Sequence, residues 1–301
     1  MSDLEIVDPH HHFWDLDAIY YEWLTDQPLA SFPFGDYEVL RRNYLPENYW
    51  RDAEGHNVVK TVHVEADAHA GDPLDETRWL TQLHESEGVP NAIVAWAPLI
   101  HPETEEMLAK QAENSLVKGI RTKPQVTNSP DDSIAGQPGT MQDQAWLKDL
   151  ALFEKYGLSW DMRVPYWHLE EAADVARALP NVQMILNHAG LPWDRSEQGL
   201  DIWRRGMEAL AACENVTTKI SFLLLPDEPW DDDQNAQVIR ETIEIFGVDR
   251  SMFASNYPVD RLRASFDTIY SLFKRTVSDY AIGDQRKLFA ENAMRIYRID
   301  A

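Results

Sequence analysis

Cysteine is nearly missing: Cys213 is the one thiol in 301 residues. A lone thiol excludes an intrachain disulfide and fits a reducing compartment. Basic residues are also scarce, 27 Lys and Arg against 51 Asp and Glu, for a formal charge of −24. Such a chain repels nucleic acid and anionic membranes, so neither is expected as a partner. Any anionic substrate then needs a specific Arg or Lys pocket. No apolar run reaches 18 residues and the start has no signal-peptide pattern, so the expectation is a cytoplasmic protein. No G-x-G-x-x-G turn or P-loop is present, which argues against an open, doubly wound sheet with a phosphate turn. Internal repeats, low-complexity tracts and composition breaks are absent too, so residues 1–301 read as one domain.

What the chain does have is apolar material, at 44% of residues, arranged in short runs. Strand candidates are Leu4–His10, Val58–Glu65, Ala92–Pro98, Val117–Arg121, Leu158–Val164, Val182–Asn187, Val216–Ser221 and Ser251–Ser255. Every gap between them has room for a helix. Apolar stripes of helical period mark Asp75–Glu87, Gln144–Tyr156, Glu170–Ala178, Asp201–Ala212, Asn235–Phe246 and Ser265–Val277. Eight strands alternating with helices predict an α/β fold, a single (β/α)8 TIM barrel. Three connections are long: residues 15–57, rich in aromatics and prolines, 123–142 and 223–234. They follow the first, fourth and seventh strands, which places them at the C-terminal mouth where barrel sites lie, as candidate substrate covers.

Charged and polar residues at the strand tips mark the candidate site. In "LEIVDPHHHFWD" the strand alternation groups Ile6, Asp8, His10 and His12 on one face, with Val7, Pro9 and His11 on the other. The same rule groups His63 with Glu65, away from Val62 and Val64, and turns Ser159, Asp161 and Arg163 inward. Arg121 ends the fourth strand inward, Asn187 and His188 end the sixth, and Lys219 opposes Ile220. Asp161 beside Arg163 reads as a buried structural ion pair, and Lys219 reads equally as structural or functional. Imidazoles at i and i+2, with His188 as a third ligand, could clamp one divalent metal, or form a hydrogen-bonded cluster. His168 follows the fifth strand and could reach the mouth.

"VDPHHHFW" resembles the D-x-H-x-H-x-W opening of the amidohydrolase superfamily, a match that includes Trp14. "TVHVEAD", "GIR", "ILNHAGLP", "KISFL" and "MFASNYPVD" are similar to later strand signatures of its amidohydrolase-2 branch. The resemblance covers about Glu5 to Tyr297 and looks closest to sugar-acid lactonases and 2-pyrone-4,6-dicarboxylate lactonase. It implies His10, His12 and His188 as catalytic histidines and tentative metal ligands, for a zinc that is weakly bound or absent. It implies Arg121 as a contact to substrate oxygen, with Arg163, Trp14, Glu65 and His168 as further substrate-binding candidates and a homodimer as a family-level expectation. The chain departs from the branch at the eighth strand, where Asn256 replaces the usual Asp that activates water. An amide is neither a base nor a good ligand for a divalent ion. Asp260 lies four residues on and substitutes only if the loop doubles back. The resulting expectation is a hydrolase that opens a small polar lactone, with His188, Asp260 or Glu65 as base. The alternatives are a lactone isomerase or decarboxylase on the same barrel, or a barrel that binds without turnover.

Overall fold

The computed structural model describes residues 4–29, 32–68, 71–226 and 228–300. The strands are β1 (Ile6–His11), β2 (Val58–Val64), β3 (Ala92–Ala95), β4 (Val117–Ile120), β5 (Ser159–Met162), β6 (Met184–Leu186), β7 (Val216–Ile220) and β8 (Ser251–Phe253). All are parallel, in the order β1 to β8. The ring closes where Asn256 N donates to the His10 carbonyl (2.7 Å) and His12 N to that of Tyr257 (2.8 Å). Eight parallel strands closed in this way are a TIM barrel, as the sequence predicts.

Helices fill each gap. The first connection holds α1 (Glu22–Thr25) and α2 (Pro46–Asp52); then come α3 (Asp75–Glu87), α4 (Thr104–Ala112), α5 (Gln144–Tyr156) and α6 (Leu169–Ala178). After them stand α7 (Glu197–Ala211), α8 (Asp232–Phe246) and α9 (Phe266–Thr276), with α10 (Ile282–Arg286) and α11 (Asn292–Ile296) ending the chain. The bounds of α3 and α5 match the sequence reading because both stop on a glycine in the left-handed region, Gly88 (φ 78°) and Gly157 (φ 62°). A residue without Cβ ends a helix there at little cost.

Inside the barrel, Val7, Val62, Val64, Val94, Ile185 and Met252 pack with Ala290, Ala293, Ile296 and Tyr297 of the C-terminal segment. Above this apolar plug lies a dry ionic layer. Lys219 Nζ sits 2.6 Å from Asp161 Oδ1, both fully buried, and Tyr297 donates its hydroxyl to the same oxygen at 2.7 Å. Lys219 Nζ also stands 5.0 Å from the Tyr297 ring centroid. Asp161 is thus paired with Lys219 rather than with its neighbour Arg163.

One strand face corrects the alternation reading. Val7 faces the interior, while Asp8 points outward, accepting from Tyr49 of α2 (2.8 Å) and from Ser255 Oγ. The β1–β2 register shifts between Asp8 and His11. That bulge resets the alternation, so His10 and His12 point inward and do not share a face with Ile6 and Asp8. In β2, Val62 and Val64 fill the interior and His63 faces outward, 3.5 Å from Glu76 of α3.

Candidate active site

A cavity of about 450 Å³ opens at the C-terminal mouth, lined by His12, Arg121, Arg163, His188 and Asn256 below, and by Trp23, Leu29, Phe32, Phe34 and Phe222 above. Of the long connections, residues 15–57 supply most of the aromatic wall and the 123–142 connection supplies Lys123. No described residue of 223–234 lines the cavity, although Leu224 and Trp230 share an apolar cluster with Phe34 and Phe222 of the lining; residues 30, 31 and 227 of these connections lie outside the described residues.

Three lining residues, His188 (φ 62°), Phe222 (φ 51°) and Asn256 (φ 52°), stand in the left-handed region just beyond β6, β7 and β8. Asn tolerates that conformation; His and Phe hold it at a cost of about 1–3 kcal/mol each. Backbone strain at three adjacent strand ends, all facing one cavity, is what a functional site looks like. It aims side chains that a relaxed strand would have turned aside.

The histidines form a tight group. His10 lies 4.6 Å from His188 and 5.2 Å from His12 between ring centroids. His12 is fixed by its Nδ1, which donates to the Val64 carbonyl at 2.7 Å. Its Nε2 then carries the lone pair, 3.4 Å from Asn256 Oδ1. His188 Nδ1 lies 3.0 Å from Ser221 Oγ. Burial first, then the nearby cations and imidazoles, pushes His10 and His188 well below the ordinary histidine value and His12 down to about 3. All three are neutral at pH 7. His10 sits beneath the cavity, with both ring nitrogens buried and, among the described residues, without a hydrogen-bond partner.

The Asp260 question resolves geometrically. After Asn256 the chain turns back through the 3₁₀ segment Val259–Leu262, and Asn256 Nδ2 donates to Asp260 Oδ1 at 2.6 Å. Burial raises the Asp260 carboxyl well above the usual carboxylate range. Asp260 does not line the cavity; it stands behind Asn256 and orients the amide so that Oδ1 faces His12.

Other expected contacts move. Glu65 is fully buried as the partner of Arg121, whose Nε and Nη2 bond its carboxylate and its carbonyl. Trp14 does not line the cavity: it is core, donating from Nε1 to the Arg42 carbonyl at 2.7 Å, and Trp23 takes the wall position in front of it. His168 is likewise absent from the cavity. It holds the 123–142 connection, with Nε2 accepting from Thr127 N at 3.0 Å and Nδ1 2.8 Å from Glu171. Spacing gave no sign of the aromatic wall residues Trp23, Phe32 and Phe34, beyond their crowding in one long connection.

The chain belongs to the amidohydrolase family, whose amidohydrolase-2 model matches residues 7–299. It is 36% identical to the uncharacterised protein y4mH of Sinorhizobium fredii over 299 residues, 99% of this chain and all of that one. An L-fucono-1,5-lactonase of Burkholderia multivorans is 27% identical, across 97% of this chain and 96% of the relative. Among solved structures, an amidohydrolase of Burkholderia multivorans with bound zinc superposes with a TM-score of 0.80 at 24% identity, covering 98% of this chain and 99% of that one. That likeness concerns the fold.

The zinc of that structure raises the question of a metal here. Among the described residues, no group of three or more His, Cys, Asp or Glu converges as a metal ion requires. The imidazoles are neutral, Asn256 offers an amide oxygen, and Asp260 is turned to the Asn256 amide. Neutral imidazole is the form that ligates a divalent cation, but three such donors must converge on one point, and among the described residues they do not. The tentative three-histidine clamp is therefore not what the geometry builds, and the chemistry below uses the side chains alone.

Proposed function

We propose that the protein hydrolyses a small lactone. The observation that carries this reading is the meeting, in one enclosed cavity, of neutral imidazoles and a guanidinium with a free donor. Arg121 is held by Glu65 through Nε and Nη2, and Nη1 makes no hydrogen bond among the described residues. The likeness to an L-fucono-1,5-lactonase across nearly the whole chain supports a lactone ring as the group attacked.

In this reading the lactone carbonyl points its oxygen at Arg121 Nη1. Water attacks the carbonyl carbon, and His188, neutral and oriented by Ser221, takes the proton. The negative charge gathers on the carbonyl oxygen, where a pre-placed donor in a desolvated site contributes on the order of 10²–10³ in rate. Collapse re-forms the carbonyl and breaks the ring carbon–oxygen bond. The departing alkoxide takes the proton back from His188, leaving a hydroxy acid. A lactone is an activated ester, so a weakly basic imidazole suffices where an amide would need a stronger base. This is why Asn256 at the usual Asp position is tolerable. His12 and Asn256 present two acceptors that can hold the attacking water.

The test is a panel of five- and six-membered lactones incubated in ¹⁸O-labelled water. One labelled oxygen in the product carboxylate is expected. An isomerised, unlabelled lactone, release of CO₂, or ligand-induced thermal stabilisation with no turnover across the panel would each overturn the hydrolase reading.

A further inference from the structure

The cavity lining combines two chemistries: Trp23, Leu29, Phe32, Phe34 and Phe222 are apolar, and Arg121, Lys123 and Arg163 are cationic. Two of these cations carry their own carboxylate. Arg121 is bound to Glu65, and Lys123 Nζ lies 2.6 Å from Asp67. Arg163 differs: among the described residues it makes no salt bridge and no side-chain hydrogen bond, although it is mostly buried. Glu22, the remaining acid of the lining, sits exposed at the rim.

A guanidinium cannot give up its proton at physiological pH, so its charge stays wherever the fold puts it. A chain with 51 acidic residues could readily have supplied a partner. Instead the site holds a largely enclosed positive charge beside Arg121, a like charge, and near His188, while the acids closest to it, Asp67 and Glu65, are already engaged by Lys123 and Arg121. Burying an unpaired charge is costly unless something arrives to pair it. Here the partner must come with the ligand. A neutral polyhydroxylated lactone would leave the charge unmatched. Its hydroxyls would also meet Trp23, Leu29, Phe32, Phe34 and Phe222, whose side chains accept no hydrogen bond.

We infer that Arg163 anchors a carboxylate carried by the substrate apart from its scissile carbonyl, so that the lactone is an anion that also bears apolar surface. The planar fork suits bidentate capture of a carboxylate. The inference rests on the lactonase reading for the carbonyl chemistry, and the experiment separates the two.

The probes are paraconate (a butyrolactone with a ring carboxylate), its methyl ester, and galactonolactone, with Arg163→Met and Arg163→Lys as variants. The parent should prefer paraconate over the ester and over galactonolactone in kcat/KM. In Arg163→Met that preference should collapse by about 30-fold or more, mainly through KM, as loss of a buried charge partner implies; Lys should restore part of it. Without ligand, Arg163→Met should melt no lower than the parent, because it removes an unpaired buried charge; this shows that the variant folds. Calorimetric binding of paraconate that disappears in Arg163→Met would support the anchor even if no lactone turned over, an outcome in which only the hydrolase reading fails. Turnover of galactonolactone in preference to paraconate, or an unchanged preference in Arg163→Met, would overturn the anchor and leave the hydrolase reading standing.

Discussion

Replacing Lys219 with Met tests whether the ionic layer under the site is architecture or chemistry. Lys219 is fully buried, does not line the cavity, and makes its one salt bridge to Asp161 at 2.6 Å. Met fills similar volume, so little cavity is created and the loss is electrostatic. Asp161 would keep the Tyr297 hydroxyl at 2.7 Å, with Ser159 Oγ at 3.3 Å and Asn187 Nδ2 at 3.4 Å as weaker donors. Removing one member of a buried pair costs about 3–5 kcal/mol, because the other charge is left in a dry interior. Loss of the cation over the Tyr297 ring adds up to ~2 kcal/mol. The double variant Lys219→Met/Asp161→Asn removes both charges and should recover at least half of the loss. If the charge left on Asp161 is the cause, adding Asp161→Asn recovers stability; if poor packing at position 219 is the cause, the double variant stays as unstable as the single. The assay is urea unfolding of parent, single and double variants at pH 7, followed by circular dichroism and tryptophan fluorescence. The reasoning fails if Lys219→Met costs under about 1 kcal/mol at pH 7, or if the double variant is no more stable than the single. A double variant that folds well but has lost turnover would give Lys219 a part in the chemistry.

Three other perturbations have defined outcomes. Arg121→Lys should lower kcat/KM by about 10²-fold, the worth of one oxyanion donor. It should also lower the melting temperature, since an ammonium cannot span the Glu65 carboxylate and carbonyl together; unchanged stability would mean that the pair is not formed. Asn256→Asp would place a second carboxyl against Asp260, where 2.6 Å now separates an amide from an oxygen. Two such carboxyls share one proton, so stability should fall as pH rises from 5 to 8, and adding Asp260→Asn should rescue it. A pH-independent loss would count against this contact. The third concerns acid. His10, His11, His12, His63 and His188 are buried with lowered values, about 3 for His12 and His63, against 6.5 in the unfolded chain. The unfolded chain therefore takes up protons first as pH falls below about 6.5, and the fold loses stability from there down to about 3. Asp8 and Asp260, raised by burial, work in the opposite direction over the acid range but are fewer. The urea midpoint should drop between pH 7 and pH 5, and a flat or rising midpoint would refute the neutral histidine cluster.

The barrel was legible because its signal is repeated: eight apolar runs with helical stripes between them leave few other folds open. Segments with weaker repetition were missed. The helix α2 lies inside the first long connection, yet "LPENYW" carries a usable signal, Pro46 at the first helical position. The site was legible as residue types at strand ends. Its contacts were not, because each depends on a local departure from regular geometry. Alternation put His10 and His12 on the face of Asp8, and one bulge in β1 undid that grouping while keeping both imidazoles inward. An extended chain would have held Asp260 away from Asn256; a left-handed Asn256 and one turn of 3₁₀ bring them to hydrogen-bond distance. Arg163 was readable as inward, but its lack of a partner emerges only when Asp161 is seen to be held by Lys219 and Tyr297. The same logic explains why Trp14 and His168 misled. An aromatic or imidazole next to a site in sequence can serve it from behind, and which side it serves is set by the hydrogen bond its ring makes, Trp14 to Arg42 and His168 to Thr127. Sequence supplies the chemistry of such a site. Strain, bulges and counter-ions decide which of those groups the substrate meets.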